Sequence, residues 1–477
     1  MEHGLFEEEA AISRFYQHAS SSSMVMPPRI FSTVILVFRI VLRLQHDRTS
    51  RQQIDELQSE PRKNFQNEDT DSNMDEIYHA QAVTSTVMKM LQFHSSRPTK
   101  GETSERISPP SIDFLTEILW KIKLNGFSVC DGESIAYGVG LFSTPASFIN
   151  HACGDGSGGS STTKASRTNA IQTFYFRQGR MPCLCLTAFA DEAIQPGDEI
   201  CISYTDTMRP SHLRQAQLKR TYYFQCRCDA CVNHVENEDG WRMGLACTKC
   251  QKISVGSRVQ TASTATTEIS NCCTTHPSSV RCPKCNNTDF LKALKLINEF
   301  ENGYKKQQGD QRFAPRTTTK SNSQSRSRLR QTYTNLKSVC SNNSWYVQES
   351  GEELLQSMLD EFSSCNEDDE EKRQRIGFEA LELIEELVSS KPHGSGQARQ
   401  DGDGPVGDRI KSSRSTSSFL RHYQLLYKGA KLRLFLIPNP RRSIQELQDV
   451  MTALSPYYPP DHEFMNGLKE CLSNAMR

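Results

Sequence analysis

What the chain lacks first is an excess of charge of either sign: Lys+Arg and Asp+Glu each number 56 in 477 residues, so the formal net charge is zero. Nothing global therefore draws it to nucleic acid or to an anionic membrane, and only local runs of charge can act. A long apolar run is also missing. The most apolar stretch, residues 31–44, is interrupted by Arg39 and Arg43 and is too short for a bilayer core of ~30 Å. It predicts a buried core helix and no membrane partner. The opening residues, MEHGLFEEE, are acidic and have none of the basic-then-apolar layout of a secretory leader. The expected setting is intracellular, cytoplasmic or nuclear or both, and reducing. Gly138-Val139-Gly140 lacks the third glycine and the following helix of a dinucleotide loop, which leaves a turn into a strand.

Cysteine is plentiful, at 17 residues. In a reducing setting, closely spaced cysteines are more often metal ligands than disulfide partners. Phe224-Gln225-Cys226-Arg227-Cys228-Asp229-Ala230-Cys231 sets three thiols in a C-x-C-x-x-C cluster, close enough to share one ion but one ligand short of a tetrahedral site. Upstream, Asn150-His151-Ala152-Cys153 offers the fourth, and Gly197-Asp198-Glu199-Ile200-Cys201-Ile202-Ser203-Tyr204 lies between. Further on, Cys247-x-x-Cys250 and Cys282-x-x-Cys285 bracket a Ser/Thr-rich loop. Their spacing predicts a second, ribbon-like zinc site for which Cys272, Cys273 and His276 compete as ligands.

A composition of 36% hydrophobic and 23% charged residues suits a soluble protein of two to four domains with polar insertions. Helical patterns at residues 31–44 and 74–93 flank a polar stretch, residues 51–73, read as a solvated loop. Ile112, Leu115, Ile118, Leu119 and Ile122 then recur at helical spacing until Asn125-Gly126. From residue 127 to 204 the period changes. Short β-prone runs at residues 171–176, 183–189 and 199–204, with a hairpin turn at Gln178-Gly179, predict a small antiparallel β region. A Gly/Ser-rich insertion follows Cys153, too flexible to carry chemistry. Amphipathic helices dominate after residue 290 and read as helical hairpins resembling tetratricopeptide repeats without their full signature. The basic residues 311–330 and the Gly/Ser-rich residues 392–418 are read as linkers, and Glu367 to Glu371 as a solvated acidic loop.

Taken in order, the motifs resemble the SET-and-MYND family of SET-domain protein lysine methyltransferases. Tyr137-Gly138-Val139-Gly140-Leu141-Phe142 and Phe148-Ile149-Asn150-His151-Ala152-Cys153 are similar to its glycine-rich and N-H-x-C stretches. Arg214, Leu218, Tyr222, Phe224, Cys226, Cys228 and Cys231 fall on its R-x-x-x-L-x-x-x-Y-x-F-x-C-x-C-x-x-C pattern. The double C-x-x-C looks most like the fourth member of that family. The insertion delays the family's Pro-Asn, and Thr168-Asn169-Ala170 resumes the pattern. The family's MYND zinc module and its N-terminal SET strands have no counterpart in these residues, as if the chain began just after MYND.

The resemblance implies S-adenosylmethionine as cofactor, zinc as structural metal and a protein lysine as substrate, on a histone or another protein. It assigns Asn125, Asn150, His151, Tyr204 and Phe224 to cofactor binding, His151 through backbone contacts and stacking. Tyr204 would stand at the reacting centre, with Tyr222 and Phe127 walling the lysine channel as the other catalytic-site residues. Aromatic walls suit an aliphatic stem carrying a cation. Cys153, Cys226, Cys228 and Cys231 would hold one zinc, and Cys247, Cys250, Cys282 and Cys285 a second.

The expected fold class is α+β: a small antiparallel β-rich SET core with a post-SET zinc cluster, then an all-helical region resembling tetratricopeptide repeats. The expected divisions are a helical segment over residues 1–124, SET core 125–210, post-SET segment 211–236, second zinc segment 240–290 and helical region 291–477, with disordered linkers near 308–345 and 391–418. The helical region is also a candidate surface for protein partners. The rival reading is a SET-like zinc scaffold without catalysis; nucleic-acid binding through the ribbon and basic linker ranks last.

Overall fold

The computed structural model describes residues 28–57, 59, 70–95, 110–130, 136–141, 144–153, 168–177, 181–188, 194–228, 231, 245–246, 253–254, 290–307, 323–365, 369–389, 416–459 and 461–476. Helix α1 (Pro28–His46) starts on a proline, whose fixed φ suits a first helical position. Its stripe of Val34, Val37, Phe38 and Val41 packs against Val83, Val87 and Met90 of α3 (Thr70–Ser95) and Leu115, Ile118 and Ile122 of α4 (Ile112–Asn125) in one buried core. That is the i, i+3, i+4 periodicity seen in the sequence. Ile112, counted in the stripe, is instead 61% exposed. Ser111 caps α4 by accepting from the Phe114 N–H at 3.1 Å.

The polar stretch from residue 51 is not all loop: α2 (Arg48–Asp55) runs into it. Asp47 accounts for this, since its carboxylate accepts from the N–H groups of Thr49 (2.9 Å) and Ser50 (3.2 Å), satisfying donors that a helix start otherwise leaves unpaired.

The β region opens with β1 (Phe127–Cys130) antiparallel to β2 (Ala136–Gly140). After the one-turn α5 (Thr144–Ser147) comes β3 (Asn150–His151), followed by β4 (Ala170–Arg177) and β5 (Met181–Ala188), which pair antiparallel from Ala170↔Ala188 to Arg177↔Met181. The expected turn at Gln178-Gly179 lies outside the described residues. The third run, expected as a strand from Glu199 to Tyr204, contracts to β6 (Cys201–Ile202). The region is also not wholly antiparallel, because β6 pairs parallel with β3. Side chains take over the ladder around this short pair. The Cys201 N–H donates to Asn169 Oδ1 at 2.9 Å, and the Tyr204 N–H to His151 Nδ1 at 2.9 Å.

Helix α6 (Ser211–Tyr222) follows, with Leu218 buried and the Arg214 side chain, fully buried, donating to the Arg209 carbonyl. It ends at Tyr223 in a left-handed conformation (φ 57°). A short antiparallel pair, β7 (Leu245–Ala246) and β8 (Ile253–Ser254), precedes the helical array.

The array comprises α7 (Phe290–Gln307), α8 (Ser323–Val339), α9 (Trp345–Ser364), α10 (Glu370–Ser389), α11 (Thr416–Leu436), α12 (Arg441–Leu454) and α13 (Glu463–Met476). Each helix packs on the next. Three expectations are corrected by these helices. Residues 323–330 of the basic run, placed in a linker and in the disordered stretch near 308–345, form the first half of α8. Two of its basic side chains are partnered, Arg326 with Glu361 (2.9 Å) and Arg330 with Glu379 (2.6 Å), and Tyr333 and Leu336 bury the second half. Similarly, Glu370 and Glu371 begin α10 rather than ending a loop, where acidic residues favour a helix N-terminus. In the second linker, Thr416 to Ser418 are already helical.

One ionic cluster joins the array to the loop after β6. Arg421 on α11 pairs with Glu349 (3.0 Å) and Glu352 of α9 and lies 3.8 Å from Asp206. The Asp206 carboxylate also accepts from Trp345 Nε1 at 3.2 Å. Removing the cation would leave several carboxylates crowded and little hydrated. Arg421→Ala is therefore expected to lower unfolding free energy by about 3 kcal/mol, read as a shift in the urea midpoint with an unchanged slope.

Candidate active site and metal centre

The site forms where three stretches distant in sequence converge. Strand β3 supplies Asn150 and His151 and leads into Cys153; β6 leads into Tyr204; α6 ends on Tyr222; and the segment after it supplies Phe224 and the C-x-C-x-x-C cysteines. Their buried cluster comprises Ala152, Cys153, Cys201, Leu218, Cys226, Cys228 and Cys231, with Tyr204, Tyr222 and Phe224 packed against it.

The ligand atoms of Cys153, Cys226, Cys228 and Cys231 all lie within 4.8 Å of one another, and all four residues are buried. A tetrahedral zinc with Zn–S of about 2.3 Å requires sulfurs about 3.8 Å apart. The cluster thus has the composition and close to the dimensions of a structural S4 site and could hold zinc. Hydrogen bonds from Cys153, then Cys226 and Cys231, hold the Cys228 thiol far below its ordinary range. Crowding already favours a thiolate there, the form a metal binds. Outer hydrogen bonds brace the ligands: the Cys153 N–H donates to Cys228 Sγ (3.3 Å), and Gln215 Oε1 accepts from the Cys226 N–H (3.0 Å) while Gln215 Nε2 donates to the Cys226 carbonyl (2.8 Å). Such second-layer contacts fix ligand orientation.

His151 joins the thiol cluster to the aromatic group. Burial pushes its pKa down to about 4, so the ring is neutral near pH 7. Nδ1 accepts the Tyr204 N–H, which leaves the proton on Nε2, 2.9 Å from Cys153 Sγ. The ring therefore donates towards a metal ligand and fixes the backbone of Tyr204 with its other nitrogen.

Around it, Tyr204 lies 4.7 Å from Tyr222 and 6.5 Å from Phe224 between ring centroids, and His151 lies 5.2 Å from Tyr204 and 6.0 Å from Phe224. The Tyr204 hydroxyl donates to the Ile149 carbonyl. Burial, then the neighbouring Tyr222, raises the Tyr204 pKa well above the usual phenol range, so the group stays a neutral donor. The aromatic turn is tied to α4 as well: Lys123 Nζ donates to the Tyr223 hydroxyl at 2.7 Å and sits 4.8 Å from the Trp120 ring centroid.

The structure thus brings together His151, Tyr204, Tyr222, Phe224 and the first four predicted metal ligands, with Asn150 exposed beside them. Asn125 ends α4, where its Nδ2 donates to the Lys121 carbonyl at 2.8 Å, and Phe127 begins β1 opposite Gly140. Cys247, Cys250, Cys282 and Cys285, together with Cys272, Cys273 and His276, lie outside the described residues. Sequence reasoning missed Gln215, Tyr223, Lys123 and the role of Glu199, whose Oε1 accepts from Asn150 Nδ2 at 2.7 Å. Asn169 carried a signal, as the point where the motif resumes after the insertion.

No family model matches the chain. Among curated proteins it is 28% identical over 207 residues to histone-lysine N-methyltransferase SMYD3 of Mus musculus, covering 43% of this chain and 41% of that protein. It is 26% identical over 213 residues to N-lysine methyltransferase SMYD2-A of Danio rerio, covering 43% and 39%. To histone-lysine N-methyltransferase ASHR1 of Arabidopsis thaliana it is 30% identical over 132 residues, covering 27% and 23%. The chain is a relative of the SMYD lysine methyltransferases and spans at most about two fifths of the length of these proteins.

Proposed function

We propose that the chain is an S-adenosylmethionine-dependent protein-lysine N-methyltransferase of the SET type, acting on a lysine of a histone or another protein. The observation that carries this reading is the aromatic group of Tyr204, Tyr222 and Phe224, joined through His151 to a four-cysteine cluster. The named activities of the relatives support it.

When bound, the cofactor supplies an electrophilic methyl on a sulfonium. The chain's own residues then have to bind, align and exclude water, which is where most of the catalytic effect of such a displacement arises. Asn150 and His151 would hold the cofactor, with Asn125 as a further contact, and Phe224 would lie against its adenine. Tyr204 would order the lysine nitrogen from the reacting centre. Tyr222 and Phe127 would line the channel for the aliphatic stem, its cationic end favoured by the ring faces. A low-polarity channel also favours the neutral amine that the reaction needs.

In this reading Cys153, Cys226, Cys228 and Cys231 hold one structural zinc, and Cys247, Cys250, Cys282 and Cys285 a second. We read the double C-x-x-C as kinship with the fourth SET-and-MYND member. The antiparallel pairs β1/β2 and β4/β5 and the helical region after residue 290 support an α+β SET core followed by a helical array that takes part in substrate choice and partner binding. The location is proposed as intracellular. No described helix is long and apolar enough to cross a membrane.

Calorimetric titration of the zinc-loaded protein with S-adenosylhomocysteine tests the reading, followed by transfer of labelled methyl to core histones and to a cytosolic protein extract. Binding and lysine labelling are expected. Asn150→Ala is expected to weaken binding about 10-fold, the worth of one good hydrogen bond to a charged group. No heat and no transfer by the parent protein would leave the zinc scaffold as the better account.

A further inference from the structure

We propose that Glu199 is a positioning residue for the cofactor site, orienting the Asn150 amide so that its oxygen, and not its nitrogen, faces the ligand. This rests on the methyltransferase reading in so far as Asn150 is a cofactor contact.

Asn150 Nδ2 donates to Glu199 Oε1 at 2.7 Å across 49 residues of chain. An ionised carboxylate can only accept, so it is satisfied by the NH2 end of the amide and turns Oδ1 the opposite way. Asn150 is exposed, which leaves nothing in its own burial to prevent a 180° flip of the amide. Glu199 is itself held close to its origin. Its carbonyl accepts from Asn169 Nδ2 (2.9 Å), and two residues on, Cys201 is bound at both backbone groups by Asn169, N–H to Oδ1 (2.9 Å) and carbonyl to the Asn169 N–H (3.1 Å). Asn169 is buried, so the backbone around Glu199 has little freedom, while its side chain, like that of Asn150, is exposed. Since Asn150 pairs with Cys201 in the β3/β6 register, backbone and side chain of Asn150 are both referenced to the same three-residue segment, and the ligand meets an acceptor of fixed direction. Preorganisation of this kind adds affinity by removing an orientation cost from the binding step.

The test uses the full chain, S-adenosylhomocysteine as probe, and two readouts. Glu199→Ala is expected to raise the dissociation constant about 3- to 10-fold, the range of one net hydrogen bond, while Glu199→Gln, which keeps an acceptor oxygen, restores most of it. Combining Glu199→Ala with Asn150→Ala should add nothing to Asn150→Ala alone, because the first acts only through the second. Bound zinc and thermal midpoint should match the parent in all four variants. The second readout needs no ligand: in protein labelled with 15N at asparagine, the side-chain amide of Asn150, identified by its loss in Asn150→Ala, should shift in Glu199→Ala and lie near its parent position in Glu199→Gln. An unmoved Asn150 resonance, an unchanged dissociation constant, additive losses in the double variant or loss of zinc in Glu199→Ala would each overturn the proposal. A resonance that moves in Glu199→Ala while the parent binds no probe would keep the Glu199–Asn150 contact but overturn the methyltransferase reading, and the positioning role with it.

Discussion

Cys228→Ser is expected to remove one equivalent of zinc, abolish measurable cofactor binding and release the segment from Tyr222 to Cys231 to proteolysis. The size of the effect follows from what the four sulfurs join. Cys153 ends the Asn150-His151 stretch, and the other three follow directly on the helix end and turn that carry Tyr222 and Phe224, so these parts of the aromatic group depend on one shared centre. A structural zinc in a small motif is worth about 10 kcal/mol or more of folding free energy. Apart from their shared buried cluster, the two stretches are linked by the Cys153 N–H contact with Cys228 Sγ and the ring contact of His151 with Phe224. These are each worth about 1 kcal/mol, too little to substitute for the ion. Cys228 is the most telling ligand to change, because its Sγ also accepts the Cys153 N–H and so links the two stretches directly. Serine keeps the volume and removes the soft ligand, so packing loss does not confuse the result. Limited trypsin digestion with cleavage after Arg227 and metal analysis by mass spectrometry would read the outcome. A variant with full zinc content and parental protection would remove the clamp from the mechanism.

Tyr204→Phe is expected to cut turnover by about 100-fold or more while leaving the affinity for S-adenosylhomocysteine within about 2-fold of the parent, the magnitude seen when one preorganised polar group at a reacting centre is lost. The ring stays, so the contacts with Tyr222 at 4.7 Å and His151 at 5.2 Å are kept. Only the hydroxyl, which donates to the Ile149 carbonyl, is removed. A purely structural tyrosine would instead lower stability with little effect on the rate per folded molecule. Single-turnover methyl transfer at saturating cofactor separates these cases. Equal rates for the two proteins would relieve Tyr204 of any part in the chemistry.

The sequence was most legible where spacing is imposed by chemistry. C-x-C-x-x-C reports that three thiols share one neighbourhood, and the N-H-x-C stretch identified the fourth before any fold was known. The helices were legible for a related reason: burial of one face imposes a period, as in Leu115, Ile118, Leu119 and Ile122. Where side chains replace backbone pairing, no such period exists. The strand into Tyr204 contracts to two residues because Asn169 and His151 take over its hydrogen bonds, and the parallel pairing of β3 with β6 depends on chain crossing that no local pattern encodes. The basic run before Tyr333 reads as a solvated linker only while its partners are unknown; Glu361 and Glu379, 35 and 49 residues away, turn it into a helix face. Glu199 was visible as part of a motif, but its hold on Asn150 is a tertiary fact.

The most direct measurement is zinc bound per chain in the parent and in Cys153→Ala, with Cys247→Ala as control for the separate C-x-x-C pairs. The expected result is one equivalent lost in Cys153→Ala together with all affinity for S-adenosylhomocysteine, and retained affinity in the control. Undiminished zinc in Cys153→Ala, or loss of that zinc with cofactor affinity intact, would contradict a metal-clamped aromatic site.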